Sequence, residues 1–389
     1  MNMLKANVGS STLANAADAG RKAAAAAKVG LGDIKVAFVY ASCTYDMEAL
    51  ILGVALELPG VPLLGNTSFT GVITKDGFIS SDDGFVGVMA IADPDMAVGV
   101  AGKARGADAF EDGMSLAAKA MKAANKDTAP TYFYMAASPA EEEFYLKGIS
   151  SVVGRVPFFG GSAADNSISG NWKLYTKDQV FADGAVVAFF YGKPITNLFT
   201  GAYHETNDFG VITKIDGNRT LVEIDGVPAT QKYAEWAGVS REAVSGGNLL
   251  VTAITSPLGV KDRLGDLIAI RHPMNGNEDG SMNIGSNLAL KTCVIRMEAT
   301  IDELIASAGE TLRALKTKMG GEAAAFHLVH CGGRRAGIGD RINEVADAIK
   351  AEAGDVPFIV EFTFGEYGYE SDNNNTCGGL MLSFTGFYK

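Results

Sequence analysis

KVAFVYAS at 35–42, TYFYMAAS at 131–138 and AAFHLVHC at 324–331 are three copies of one pattern. Each is a short apolar run rich in β-branched or aromatic residues. Each ends in a small hydroxyl or thiol side chain: Ser42, Ser138 and Cys331. Such runs read as buried strands. Working outward, a helix follows each copy, at about 46–57, 140–153 and 337–353. A proline then opens a second strand with a glycine-bearing loop: PLLGNTSFTG (62–71), PFFGGSAADN (157–166) and PFIVEFTFGEYG (357–368). Each unit closes on a polar or glycine turn leading into an apolar strand: DDGFVGVMAI from Asp82, ADGAVVAFFY from Ala182 and CGGLMLSFTGF from Cys377. A strand and a helix precede each unit, around 4–28, 97–125 and 288–319. The last of these helices is the clearest. Thr300 caps it with Glu303 completing a capping box, Ile301, Leu304, Ile305, Ala308, Leu312 and Leu315 form one apolar stripe, and Gly320 ends it.

The chain therefore reads as α/β, with three β-α-β-α-β-β repeats whose mixed sheets are covered by helices. A segment at 194–287 is inserted between repeats two and three. Three like units admit a pseudo-threefold arrangement.

With 389 residues, 47% of them hydrophobic, the chain can bury one large core or several smaller ones. No apolar run reaches the roughly 18 residues of a membrane helix, and residues 1–5 lack the pattern of a signal peptide. A cytoplasmic protein with no membrane partner is expected. A net charge of −12 repels phosphate backbones, and Arg334-Arg335 is the one compact basic pair, so no nucleic-acid partner is expected either. Cys43, Cys293, Cys331 and Cys377 form no CxxC pair and read as buried free thiols.

Five stretches carry a family resemblance: LLGNTSFTG (63–71), FGGSAADN (159–166), VITKIDGNRTLVEIDGVPATQKY (211–233), RHPM (271–274) and FGEYGYE…NNNT (364–376). In this order they resemble the FIST N-terminal and C-terminal domains. The resemblance implies an N-terminal domain at 1–222, holding repeats one and two, and a C-terminal domain at 223–389, holding the insert and repeat three. It also implies an intracellular ligand-sensing module of signal transduction rather than an enzyme. Amino acids are the proposed ligands, and kinases, cyclases or chemotaxis transducers the signalling partners. One branch of the family binds haem and reports nitric oxide, so haem is the alternative to having no cofactor. Two departures stand out: Asn66 sits where many members carry cysteine, and Tyr367 interrupts a GE-hydrophobic-G pattern.

Ligand sites in sheet proteins favour loops at strand ends. Gly65, Gly160, Gly161, Gly365 and Gly368 would let a ligand approach the backbone, or else only make tight turns. Asn66, Ser68, Ser162, Asp165, Glu366, Tyr367, Asn375 and Thr376 add polar groups in the same loops. Arg271 could grip a carboxylate with its fork, while Asp165 or Glu366 holds an ammonium group; together these suit an amino acid. The alternative is an internal pair between Arg271 and Glu366 or Asp165. Cys331-Gly332-Gly333-Arg334-Arg335, between a strand and a helix, could attract an anion but is neither a P-loop nor a GxGxxG fingerprint.

His327 and His330 face opposite sides of a strand and cannot share a metal. His204, His272 or His330 could ligate haem iron, or each could be an ordinary core or surface histidine. Ser42, Cys43, Ser138 and Cys331 could meet near a shared axis with His330 close by, which is the case for a hydrolase, but no orienting acid stands at a recognisable spacing. The repeats and insert account for the chain, so a signal is expected to leave through a separate protein.

Overall fold

The computed structural model describes residues 3–261, 268–369 and 375–389. The first unit runs β1 (Lys5–Ser11), α1 (Ala16–Ala27), β2 (Ile34–Ala41), α2 (Met47–Glu57), β3 (Leu63–Thr67), a hairpin of β4 (Val72–Thr74) and β5 (Gly77–Ile79), then β6 (Val86–Ala92). The second repeats that order: β7 (Ala97–Ala104), α3 (Ala109–Ala123), β8 (Tyr132–Ala137), α4 (Glu142–Val153), β9 (Phe158–Ser162), a hairpin of β10 (Leu174–Thr176) and β11 (Val180–Phe181), then β12 (Gly184–Tyr191). Next comes β13 (Ile195–Thr200).

The insert holds β14 (His204–Asp216), β15 (Thr220–Ile224), β16 (Val227–Pro228), α5 (Ala229–Ala237), α6 (Asn248–Thr252), β17 (Leu258–Lys261), β18 (Ile268–Arg271), β19 (Pro273–Gly276), β20 (Met282–Ile284) and β21 (Cys293–Glu298). The chain then completes α7 (Ile301–Met319), β22 (Ala323–Cys331), α8 (Gly332–Ile338), α9 (Ile342–Ala353), β23 (Phe358–Thr363), a hairpin of β24 (Glu366–Tyr369) and β25 (Asn375–Gly378), and β26 (Leu382–Tyr388).

Three six-stranded sheets share one order: β1-β6-β2-β3-β10-β11, β7-β12-β8-β9-β24-β25 and β13-β26-β22-β23-β4-β5. At each centre two strands run parallel, joined by a helical crossover. The hairpin at the end of each sheet belongs to a different unit: β10-β11 extends β3, β24-β25 extends β9, and β4-β5 extends β23. Each unit thus lends a hairpin to its neighbour's sheet.

The sequence reading placed the opening strand of the third unit just before α7. In the structure that strand is β13, which pairs with β26, whereas β21 pairs with β14 and β17 inside the insert's own sheet. The insert therefore interrupts the third unit between its first strand and first helix. Both are six-residue runs mixing apolar and polar residues, ITNLFT and CVIRME, so pattern alone could not choose between them.

Side-chain alternation divides each sheet into two faces. Outward residues such as Ala37, Phe133 and Phe326 pack under α1–α2, α3–α4 and α7–α9. Inward residues of all three sheets, among them Phe38, Tyr134, Phe159 and Phe387, form one shared core. The expected cap of α7 is present in full: Thr300 Oγ1 accepts from Glu303 N, and Glu303 Oε2 accepts from Thr300 N. Thr300→Ala is expected to cost about 1 kcal/mol, readable as a lower denaturant midpoint with an unchanged slope.

Candidate functional site

At the centre, one residue from each parallel strand pair occupies the same place. Phe38, Tyr134 and His327 form a ring triangle with centroids 5.1, 5.1 and 5.6 Å apart. Beside it lie Asn66 and Glu361, also matched positions on β3 and β23, with 0% exposure. Asn66 Nδ2 donates to Glu361 Oε2 at 2.9 Å. The Tyr134 hydroxyl lies 2.8 Å from Asn66 Oδ1 and 3.2 Å from Glu361 Oε1. It has one proton, and the amide oxygen can only accept, so the shorter contact takes it. A proton on Glu361 Oε1 then closes a three-membered ring.

Burial favours that proton, lifting the Glu361 carboxyl to about 8 although its polar contacts with Asn66, Tyr134 and Tyr40 act the other way. His327 Nε2 lies 3.7 Å from the carboxyl and bonds the Tyr40 hydroxyl. Desolvation holds its pKa near 3, so it is neutral and forms no ion pair. Burial, then the Glu361 charge, pushes the Tyr40 and Tyr134 hydroxyls well up. This centre is an uncharged, enclosed network. Sequence reasoning passed over Glu361; its signal was one acid inside the apolar run FIVEF.

Of the glycines expected in loops, Gly65, Gly160, Gly161 and Gly368 lie in strands, while Gly365 sits in the bend before β24. A methyl on Gly65 would stand 1.7 Å from Val39 O, and one on Gly160 (φ +138°) 1.9 Å from Met135 O. Both allow close strand-to-strand approach. Gly161 meets Thr363 and Gly365, and Gly368 meets Phe199, in the same way. Ser68 Oγ donates to Gly71 O and accepts from Phe362 N, closing the turn after β3. Asp165 accepts from the backbone N–H groups of Ser167, Ser169 and Asn171, which leaves it holding its own loop rather than an ammonium group.

Strand alternation sends Glu366 and Tyr367 to opposite faces. Glu366 accepts from Thr363 Oγ1 (3.0 Å) and Met381 N (2.9 Å), and burial lifts its carboxyl to about 8. The Tyr367 hydroxyl meets Ser162 Oγ at 2.7 Å, and its ring stacks on Phe158. Thr376 pairs with Gly368 across the β24–β25 ladder. Residues 370–374 of the FGEYGYE…NNNT stretch lie outside the described residues.

Arg271 pairs with neither Asp165 nor Glu366. Its Nε donates to Asn287 O at 3.1 Å and its Nη1 to Ile270 O at 3.3 Å. Asn287 is a junction: its N donates to Glu143 Oε1 at 2.9 Å, and its Oδ1 accepts from Arg219 Nε at 3.1 Å. Arg219 in turn pairs with Glu142 and Glu143 at the start of α4. This polar seam joins the insert to the second unit. Burial lowers the Arg271 pKa and raises Glu142 to about 7.

The thiols and hydroxyls proposed as nucleophiles are held apart by their own elements. Ser42 accepts from Asn166, Ser138 donates to Gly184 O, and Cys331 caps α8. His330 Nδ1 donates to the Cys331 carbonyl rather than the thiol, whose pKa burial raises. Cys377 is buried too, but Cys43 is only partly so and Cys293 is exposed, which corrects the expectation for those two.

Two family profiles match the chain: the FIST N domain over residues 35–227 and the FIST C domain over 229–369. The chain belongs to the FIST family. FIST domains are signal-transduction sensor domains. In this FIST chain the departure at Asn66 falls in the central ring, where its amide bridges Glu361 and Tyr134. The other departure, Tyr367, fills the space against Phe158.

An uncharacterized protein of Methanocaldococcus jannaschii is 34% identical over 91 residues, spanning 22% of this chain and 18% of its own length. Cyanuric acid hydrolase from A. caulinodans aligns over 100% of both chains at 11% identity and a TM-score of 0.40. Phosphoribosylformylglycinamidine synthase II from Thermotoga maritima aligns over 98% of this chain and 72% of its own at 12% identity and a TM-score of 0.23. Neither structural likeness bears on activity.

The haem alternative was tested against the four imidazoles. His327 is wrapped by Phe38, Tyr40, Tyr134 and Phe159, His330 is fully buried against Phe362, and His272 is buried with Nε2 on Leu250 O. His204 is exposed but bonded to Glu303. In this conformation the three buried imidazoles offer a haem no face to approach, and the fourth stands beside a carboxylate. The residues do not fit the group. Among the described residues no helix is long and apolar enough to cross a membrane.

Proposed function

We propose that this FIST protein senses a small carboxylate-bearing ligand, an amino acid or related acid, at the seam around Arg271. What supports the reading is one observation: a largely buried guanidinium whose acceptors, among the described residues, are two main-chain carbonyls. Arginine keeps its charge when buried, and a buried cation that bonds no carboxylate is costly even with the Glu143 charge nearby. A ligand carboxylate supplies that counter-ion through charge-assisted hydrogen bonds. Thr376 lies on β25, which packs against the β18 strand of Arg271, and completes the proposed site with Tyr367 on the paired strand β24 and its partner Ser162.

Transduction follows from the junction. A ligand that draws Arg271 off Asn287 O loosens the residue that also ties Arg219 and Glu143 together. The insert and α4 would then shift relative to one another, and a separate signalling protein, a kinase, cyclase or chemotaxis transducer, would read the change. The ligand can bias this equilibrium only by its differential affinity for the two arrangements.

A thermal-shift screen of amino acids and other carboxylates tests the reading. At about 100 times its dissociation constant, a ligand should add about 2.7 kcal/mol of stability. The effect should vanish in Arg271→Gln, whose folding circular dichroism checks. An equal response from Arg271→Gln, or stabilisation only by compounds lacking a carboxylate, would sink it.

A further inference from the structure

A second arginine is incompletely bonded, in a different place and independently of Arg271: the Glu366 charge acts on it, but no carboxylate oxygen bonds it. Arg334, on α8, is 0% exposed. Its Nη2 donates to Leu304 O at 2.8 Å and to Ser307 Oγ, both on α7. Its Nε and Nη1 have no partner among the described residues. The neighbouring acid, Glu366, has one oxygen on Thr363 and the other on Met381 N. Tyr203 beside it donates its hydroxyl to Ile254 O. The carbonyl of Cys331 is taken by His330 Nδ1. Among the described residues none of these groups accepts a hydrogen bond from Arg334 Nε or Nη1.

His330 adds to the imbalance. With Nδ1 donating, its Nε2 is an acceptor, and that atom also lacks a partner. Ser307 and Tyr203, which screen Arg334, also line a surface groove of about 480 Å³ between α7 and residues 200–204. Two acids, Glu303 and Glu310, stand in the same groove.

We propose that Arg334 holds a small monovalent anion, of chloride or formate size, admitted past Ser307 and Tyr203 from this groove. Water could satisfy the two free N–H groups but could not neutralise the guanidinium; an anion does both. Full enclosure limits the guest to a few atoms. A single arginine behind two carboxylates disfavours a doubly charged guest such as phosphate. The bound ion would tie the β22–α8 corner to α7.

Crystals of the full chain grown without halide and soaked in sodium bromide test this at the bromine absorption edge. An anomalous peak within hydrogen-bond distance of Arg334 Nε or Nη1 is expected. In solution, replacing gluconate by chloride at constant ionic strength should raise the thermal midpoint saturably, with the folding constant up about elevenfold at ten times the dissociation constant. Arg334→Gln should lose both responses; if it fails to fold, the wild-type data still decide. An ordered water at Arg334 with no bromide peak overturns the proposal. So does a peak without any chloride-dependent midpoint, which is binding at crystal concentration only.

Discussion

Between pH 6.5 and 8 the buried carboxyls Glu361 and Glu366 are expected to cost about 3 kcal/mol of stability, and Glu361→Gln to recover about half of it. Glu361 and Glu366 each titrate at about 8 in the folded chain, against 4.5 for the ordinary group, because burial penalises the carboxylate. The sign follows directly. For an acid with a raised folded pKa, the native state holds the proton longer, so stability is full below 4.5 and falls as pH rises toward 8. The slope is about 1.36 kcal/mol per unit well below the folded value and half that at pH 8, so each group costs a little under about 2 kcal/mol over this range. His327 and His272 act oppositely. Their folded values, about 3 and 4, lie below the ordinary 6.5, so they remove stability only as pH falls under 6.5.

Glutamine at 361 can keep the central ring. Its NH₂ donates to the Tyr134 oxygen and its carbonyl accepts from Asn66, with nothing left to ionise. Denaturant midpoints of wild type and Glu361→Gln at pH 5.5, 6.5, 8 and 9 check this. A constant difference across that range would mean that Glu361 is ionised in the fold.

Gly65→Ala is expected to abolish folding, a loss above about 4 kcal/mol. A methyl there meets the Val39 carbonyl oxygen at 1.7 Å, its carbon at 2.7 Å and Tyr175 Cε2 at 2.9 Å. None of these can retreat cheaply. Val39 is paired to Gly65 in the parallel ladder, and the Tyr175 hydroxyl shares its one proton between Val39 O and Asn66 O, at 3.0 and 2.9 Å, pinning its ring. Gly32→Ala is the control, since nothing lies within 4 Å of a methyl there and its φ is ordinary. The readout is soluble, cooperatively melting protein from each variant. A folded Gly65→Ala that merely lost a ligand would return this glycine to the loop role expected from the sequence.

How much of this was legible in the sequence differs element by element. Local hydrogen bonding and side-chain period decide strands and helices, so β2, β8 and β22 and the capped α7 could be read from a few adjacent residues. The family could be read the same way, from short motifs in order. The site was not. Asn66 was a candidate, but its partner Glu361 lies 295 positions away. Glu366 and Tyr367 read as one motif, yet the two-residue period of a strand sends one to Thr363 and Met381 and the other to Ser162.

The sequence by itself determined the α/β class, the order of elements and the residues able to carry charge inside. Tertiary structure alone decided that each hairpin completes another unit's sheet and that the insert splits the third unit. It also decided which buried charges would find a counter-charge. The physical reason is range: a strand's conformation depends on neighbours a few residues away, whereas a buried carboxyl or guanidinium answers to whatever the completed sheets place beside it.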